Sequence, residues 1–294
     1  MEHYKHSGAV PILGALMTIV AGLLAASLLG VVYTYVLYYI PIVYFNVLLP
    51  VGLAFAIGFV VSMAGTWGKI RNTPVLAIIG FFCGLVSLYV AWAADAYVRT
   101  SFGFSWAFAP DVLIAYIQLF YERGDWTLFG DEPIAGISLA AIWVIEAAII
   151  VGGAAFTALV ANSEDPFCER CDVWADVEKG VRRLKLERGS QASAARLLQG
   201  DLTALAESER AKKREYPHLR LDLATCGSCQ DSNYLTIQSV TESVNDKGET
   251  STSEEALLTN LVITPEQVQL VRDAGTPAAP QAEEGNFDFL KTDD

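Results

Sequence analysis

The chain is 294 residues long and 53% hydrophobic, with 33 acidic against 20 basic residues and a formal charge of −13. The apolar residues crowd into the part before Asn162, while the part from Asn162 onward holds 25 Asp and Glu against 15 Lys and Arg, a balance of −10. This split excludes one uniform soluble domain, and the acidic surface argues against nonspecific nucleic-acid binding, which takes its affinity from cationic side chains on phosphate.

No Asp, Glu, Lys or Arg occurs from His6 to Gly68. A run of about 18 apolar residues suffices to cross a bilayer, so this stretch is long enough for two crossings. The first span is read over about Ala9–Leu29, followed by Tyr33, Tyr35, Tyr38, Tyr39 and Tyr44 as amphipathic rings suited to an aqueous interface. Pro41, Asn46 and Pro50 are expected to break the helix. The second span covers roughly Val51–Trp67, the third Val75–Val98 and the fourth Ile134–Val160. Residues 1–161 are thus expected to form a four-helix transmembrane domain with an external segment at about 99–133.

Lys5, Lys69 and Arg71 are basic flanks of the kind retained in the cytoplasm, which predicts a prokaryotic inner-membrane protein with both chain ends inside. Asp95 and Arg99 sit at the outer end of the third span, spaced for an i,i+4 pair. In the external segment, Asp111 is expected to cap a short helix whose Val112, Leu113, Tyr116, Leu119 and Phe120 form an apolar face along the membrane surface. Phe102, Phe104, Trp106 and Trp126 add to an aromatic content too high for a free loop. Small-residue pairs at Gly22 and Ala26, Gly80 and Gly84, and Ala148 and Gly152 suggest close helix contacts.

Glu146 falls near the middle of the fourth span. A charge there costs several kcal/mol, so the carboxyl should face the bundle, uncharged, and donate a hydrogen bond to Tyr33, Tyr35, Ser62 or Ser87. It is either a structural clamp or a proton or cation site. Transporters usually show an internal repeat and paired broken helices, and neither is visible in the sequence.

Cys168-Glu-Arg-Cys171 and Cys226-Gly-Ser-Cys229 are the most specific signal in the chain. Two residues between ligands let one tight turn direct both sulfurs at one ion, and four thiolates satisfy a tetrahedral Zn site. In a reducing cytoplasm a single structural Zn ion is favoured over disulfides, with Fe as the alternative metal. Cys83 lies within an apolar span and reads as a small buried hydrophobe.

The 54 residues between Cys171 and Cys226 exceed the usual ribbon spacing, and an inserted helical hairpin is expected to fill them. Trp174, Val177, Val181 and Leu184 recur at helical spacing from Asp172 to about Arg188; Ser190 then caps a helix carrying Ala194, Leu197, Leu198, Leu202 and Leu205. Two basic runs, Arg182, Arg183, Lys185 and Arg188, then Arg210, Lys212, Lys213 and Arg214, are read as a solvated face or as contacts to anionic lipid headgroups. His218 is expected at the surface, not as a ligand. Leu219, Leu221 and Leu223 alternate into the second knuckle while Leu235 and Ile237 alternate out, so Cys226–Cys229 forms a β-hairpin turn. Residues 245–248 make a further turn, returning through Ile263.

The knuckle-on-hairpin element from Leu219 to Ile237 resembles zinc-ribbon modules, over less than a tenth of the chain. The resemblance implies a metal-stapled fold and transfers no specific activity. Thr264-Pro265-Glu266-Gln267 predicts a final helix with a capping box, ending near Gly275. Residues 162–275 thus read as a cytoplasmic metal-binding α+β domain, and 276–294 as a disordered acidic tail.

The sequence carries no phosphate-binding Gly-rich loop and no His-Glu-x-x-His, and its three histidines are His3, His6 and His218. The reading with fewest assumptions is a noncatalytic membrane anchor, scaffold or sensory and assembly component. Its expected partners are the lipid bilayer, a protein engaged by the cytoplasmic domain and further copies of the chain. Translocation through Glu146 and dithiol redox chemistry at the two cysteine pairs are the alternatives.

Overall fold

The computed structural model describes residues 2–40, 43–100, 107–125, 133–161, 165–185, 196–197, 201–205, 208–212, 215–244 and 250–275. Two compact units result: His6–Glu164, and Met1–Lys5 together with Asp165–Asp294. Pro41, Phe102, Phe104, Trp106, Trp126, Arg188, Ser190, Ala194, Leu198, Lys213, Arg214, the expected turn at 245–248 and the tail lie outside the described residues, as do the side chains of Tyr44 and Asn46.

The first unit contains four helices long and apolar enough to cross a membrane: α1 (Ile12–Tyr39), α2 (Val43–Trp67), α3 (Thr73–Thr100) and α5 (Gly136–Val160). At 1.5 Å per residue each is about 37 Å or longer, against a hydrocarbon core of about 30 Å. Ile12, Leu13, Leu24, Leu28, Phe55 and Ile137 are exposed, an apolar exterior that suits lipid and not water. Together these features suggest an integral membrane protein.

α1 and α5 both pack on α2 and α3, and small residues make this possible. A Cβ at Gly58 would fall 2.6 Å from the Ala154 carbonyl oxygen, and one at Gly84 2.8 Å from the Val151 Cα. Gly80 likewise meets Ala154 and Ala158. The expected pair of Ala148 and Gly152 is not the contact face, since a Cβ at Gly152 meets nothing within 4 Å. The face lies instead along Val151, Ala154 and Ala158, roughly a third of a turn round the helix.

Helix α1 runs ten residues beyond the expected Leu29, which carries Tyr33 into the buried core while Tyr38 and Tyr39 stay exposed. Pro50 lies inside α2 and does not end it; membrane helices tolerate proline because neighbouring groups satisfy the freed carbonyl. Arg71 is buried, and its Nε donates to Ser7 Oγ at 3.1 Å while its amide donates to the Ala9 carbonyl at 3.0 Å. It anchors the segment before α1 as well as flanking a span.

Helix α4 (Pro110–Arg123) forms where a short helix was expected, but its N-cap is Ala109, and Asp111 sits in the first turn. There its charge favours the positive end of the helix dipole without capping it. Leu113, Tyr116 and Phe120 pack with Ala93 and Ala96 of α3, so this part of the apolar face is turned onto protein while Leu119 stays exposed. Tyr116 Oη donates to Asp95 at 2.7 Å, and Arg99 binds both Asp95 at 2.9 Å and Asp125 at 2.7 Å. The expected Asp95–Arg99 pair is thereby part of a larger network.

In the second unit, β1 (Phe167–Cys168) pairs with β2 (Val173–Trp174), and β3 (Asp176–Lys185), β4 (His218–Thr225), β5 (Asn233–Val244) and β6 (Thr250–Ile263) form an antiparallel sheet in that order. The described part of the segment expected as a helix from Asp172 to Arg188, up to Lys185, is therefore β2 and β3. The cause is a bulge: the register shifts between Glu178 and Arg182, with Gly180 at φ +66° and its amide donating to buried Asp222 at 2.6 Å. Extra residues in a strand spread its apolar positions and imitate helical spacing. Val181 and Leu184 join the leucine core, whereas Val177 packs with Ala224 and Tyr234.

Among the described residues of the expected second helix, Arg196 and Leu197 are helical and Leu202–Leu205 form a 3₁₀ turn, and Leu197, Leu202 and Leu205 are buried in the core as the pattern implied. The β4–β5 hairpin and the strand through Ile263 are as read. Helix α6 (Pro265–Asp273) has the complete capping box, with Thr264 Oγ1 accepting from the Gln267 amide and the Gln267 side chain accepting from the Thr264 amide.

Candidate metal centre

Cys168 ends β1, and Cys171 lies in the turn leading to β2. Cys226 leaves β4, and Cys229 lies in the turn entering β5, closed by the Gln230 amide on the Cys226 carbonyl and the Cys226 amide on the Ser232 carbonyl, each at 3.0 Å. The long gap between the pairs is spanned by the sheet. Asp176 pairs with Thr225, the residue just before Cys226, so the β3–β4 ladder delivers one knuckle beside the other.

All four Sγ atoms lie within 4.8 Å of one another, and Cys168 and Cys229 are 3.8 Å apart. A tetrahedral ion with Zn–S bonds of about 2.3 Å requires sulfurs about 3.8 Å apart, so the donor set fits. Cys168 and Cys226 are buried, and Cys171 and Cys229 are half-buried.

Four thiols this close cannot all ionise without a cation among them. The backbone N–H groups of Asp231 and Ser232 draw Cys229 down to about 6, while sharing a proton with Cys229 pushes Cys171 up to about 12. For Cys168, burial opposes ionisation but is outweighed by hydrogen bonding, chiefly from Ser232 Oγ at 3.2 Å. A divalent ion would take the place of the shared protons.

Residues that the sequence did not single out support the centre. The Phe167 amide donates to Tyr4 Oη at 3.0 Å, and Tyr4 packs edge-on against Tyr234 with ring centroids 5.0 Å apart. The Tyr4 amide donates to the Asn260 carbonyl, and the Val262 amide to the Glu2 carbonyl, so the chain's first residues pair with β6. No spacing rule connects Tyr4 with Cys168. Ser232 was detectable only as a hydroxyl three residues past Cys229.

The other candidate residues fall elsewhere. Glu146 meets one of its four expected partners, Tyr33, but with the phenol donating and the carboxyl accepting, the reverse of the expected direction. His218 is not at the surface but buried, with Nδ1 2.8 Å from the Glu215 carbonyl, and it is not among the metal-ligating groups. Arg182, Arg183, Arg210 and Lys212 line one recess, whereas Lys185 pairs with Glu209 and Glu215 at 3.1 and 3.6 Å. A search against family models, curated proteins and solved structures finds no significant match to this chain.

Proposed function

We propose that this chain is a noncatalytic membrane anchor or assembly protein whose α+β domain faces the cytoplasm and is stapled by one structural Zn ion. The observation that carries the reading is the sulfur quartet within 4.8 Å. Four protein thiolates leave no open coordination position, as in structural and unlike catalytic zinc sites. A metal staple also suits a domain with a limited core.

The cytoplasmic placement rests on Lys5, Lys69 and Arg71 as basic flanks and on the reducing conditions that thiolate ligation needs. The pairing of Glu2–Tyr4 with β6 supports chain ends on one side of the membrane, as an even number of spans requires. Assembly with the bilayer, with a protein bound by the sheet domain and with other copies of the chain belongs to the same proposal. The hydrogen bond from Tyr33 supports Glu146 as a clamp between α1 and α5. One common sulfur cluster speaks against two independent dithiols.

Elemental analysis of the full chain purified from its native membrane tests the reading. It should give one Zn per chain, and Cys226→Ser should lose both the metal and the proteins that co-purify with the parent. A metal-free parent with all thiols intact would overturn it, and iron in place of Zn would correct the ion.

A further inference from the structure

We infer that the recess beside β3 is a binding site for a small phosphate-bearing anion. It is a cavity of about 350 Å³ lined by Gly180, Val181, Arg182, Arg183, Arg210, Ala211 and Lys212, within the size range of ligand pockets. Its position goes beyond the metal reading, because it lies along the β3 edge and involves none of the cysteines.

The recess is built by two backbone features. The segment 209–211 adds to the free edge of β3, with the Lys185 amide donating to the Glu209 carbonyl and the Ala211 amide to the Arg183 carbonyl, both at 2.9 Å. This sets Arg210 opposite Leu184. Residues two apart on a strand share a face, so Arg182 and Leu184 project together and Arg210 joins them across the ladder. On the other side, the Gly180 bulge opens the strand next to Arg182.

Of the cations lining the recess, Lys212 lies beside Glu215, which its backbone amide and charge help to hold below the usual carboxylate range. Lys185 is neutralised by Glu209 and Glu215, Arg220 by Asp222 and Glu254, and Arg272 by Glu178. Arg182, Arg183 and Arg210 have no acidic partner among the described residues. Arg182 and Arg210 share one face, while Arg183 lies opposite Arg220 on the other, in the half of the chain whose balance is −10.

A solvated basic face would leave its donors to water. Arg182 does not: its Nε is buried and has no hydrogen-bond partner among the described residues, while Nη1 donates to the Val181 carbonyl at 3.2 Å. Buried donors are almost always satisfied, and a guanidinium Nε beside a cationic recess calls for an anionic oxygen. Tetrahedral oxyanions match the planar fork of arginine, and two arginines converging on one recess are the chemistry of phosphate recognition. A free phosphorylated metabolite and the phosphate of an anionic lipid headgroup share this chemistry.

The test is calorimetric titration of glycerol 3-phosphate into the full metal-loaded chain in phosphatidylcholine nanodiscs. Saturable binding at one site per chain is expected. Arg182→Gln combined with Arg210→Gln should weaken it tenfold or more, with metal content and melting temperature kept, and Lys185→Gln should leave it unchanged. Repeating the titration in nanodiscs containing phosphatidylglycerol separates the sources: competition identifies the headgroup as occupant, and unchanged affinity identifies a free ligand. No saturable binding to the parent in phosphatidylcholine, or equal binding to the folded double variant, overturns the proposal.

Discussion

The helical and sheet units exclude solvent from their backbones with opposite distributions of side chains. In the helical unit many large apolar residues point outward, and beside a buried core that includes Ile57, Leu76 and Ile150 the closest helix contacts fall to Gly58, Gly80, Gly84, Ala154 and Ala158. In the sheet unit the large residues turn inward: Leu184, Leu205, Leu221, Leu223 and Leu235 are fully buried, and four sulfurs close one end. A bilayer supplies the first unit's missing apolar environment, so close backbone approach is enough to hold it. The second must bury its own apolar surface, and a metal ion would join segments that the leucine core does not reach.

The contrast predicts unequal responses to perturbation. Chelation of the metal should have the largest effect, since ligation by structural Zn contributes on the order of 10 kcal/mol. Limited proteolysis should then cut after Asp165 while the four membrane-length helices keep their circular dichroism signal. Loss of helix along with the sheet unit would show that the two are not independent. The converse perturbation is Gly58→Ala. Its Cβ would sit 2.5 Å from the Thr157 Cβ, so α2 and α5 must separate at a cost of about 1–3 kcal/mol. Thermal unfolding in detergent should fall accordingly, with metal content unchanged.

Smaller still is Thr264→Ala, which removes the cap of α6 and should cost about 1 kcal/mol in the sheet unit alone. The last prediction concerns reactivity. In the metal-free protein, alkylation of Cys229 should rise through pH about 6, because the backbone N–H groups of Asp231 and Ser232 favour its thiolate. Cys171, pushed up to about 12 by sharing its proton with Cys229, should stay unreactive at neutral pH. Protons and metal compete for the same sulfurs, so metal affinity should fall as pH drops. Mass spectrometry of the labelled peptides reads both cysteines at once.

Legibility differed between the units for a physical reason. A membrane span is defined by composition over a long window, and all four were readable, with errors chiefly where Pro50 suggested a later start to the second and the tyrosines an earlier end to the first. The knuckles, the β4–β5 hairpin and the Thr264 capping box were readable because each is a local pattern. The identity of β3 was not, because the bulge at Gly180 breaks strand alternation and leaves Val177, Val181 and Leu184 at helical spacing. The packing face of α5 was equally ambiguous, since small residues occur on several of its sides. Tyr4 beneath Phe167 depends on a partner more than 160 residues away, for which no local pattern exists.

X-ray absorption at the Zn edge, on the full chain purified from its native membrane, measures the centre itself. Four sulfur neighbours at about 2.3 Å are expected, with no lighter scatterer in the first coordination shell. Fewer than four sulfurs, or nitrogen or oxygen in their place, would contradict a closed four-cysteine staple.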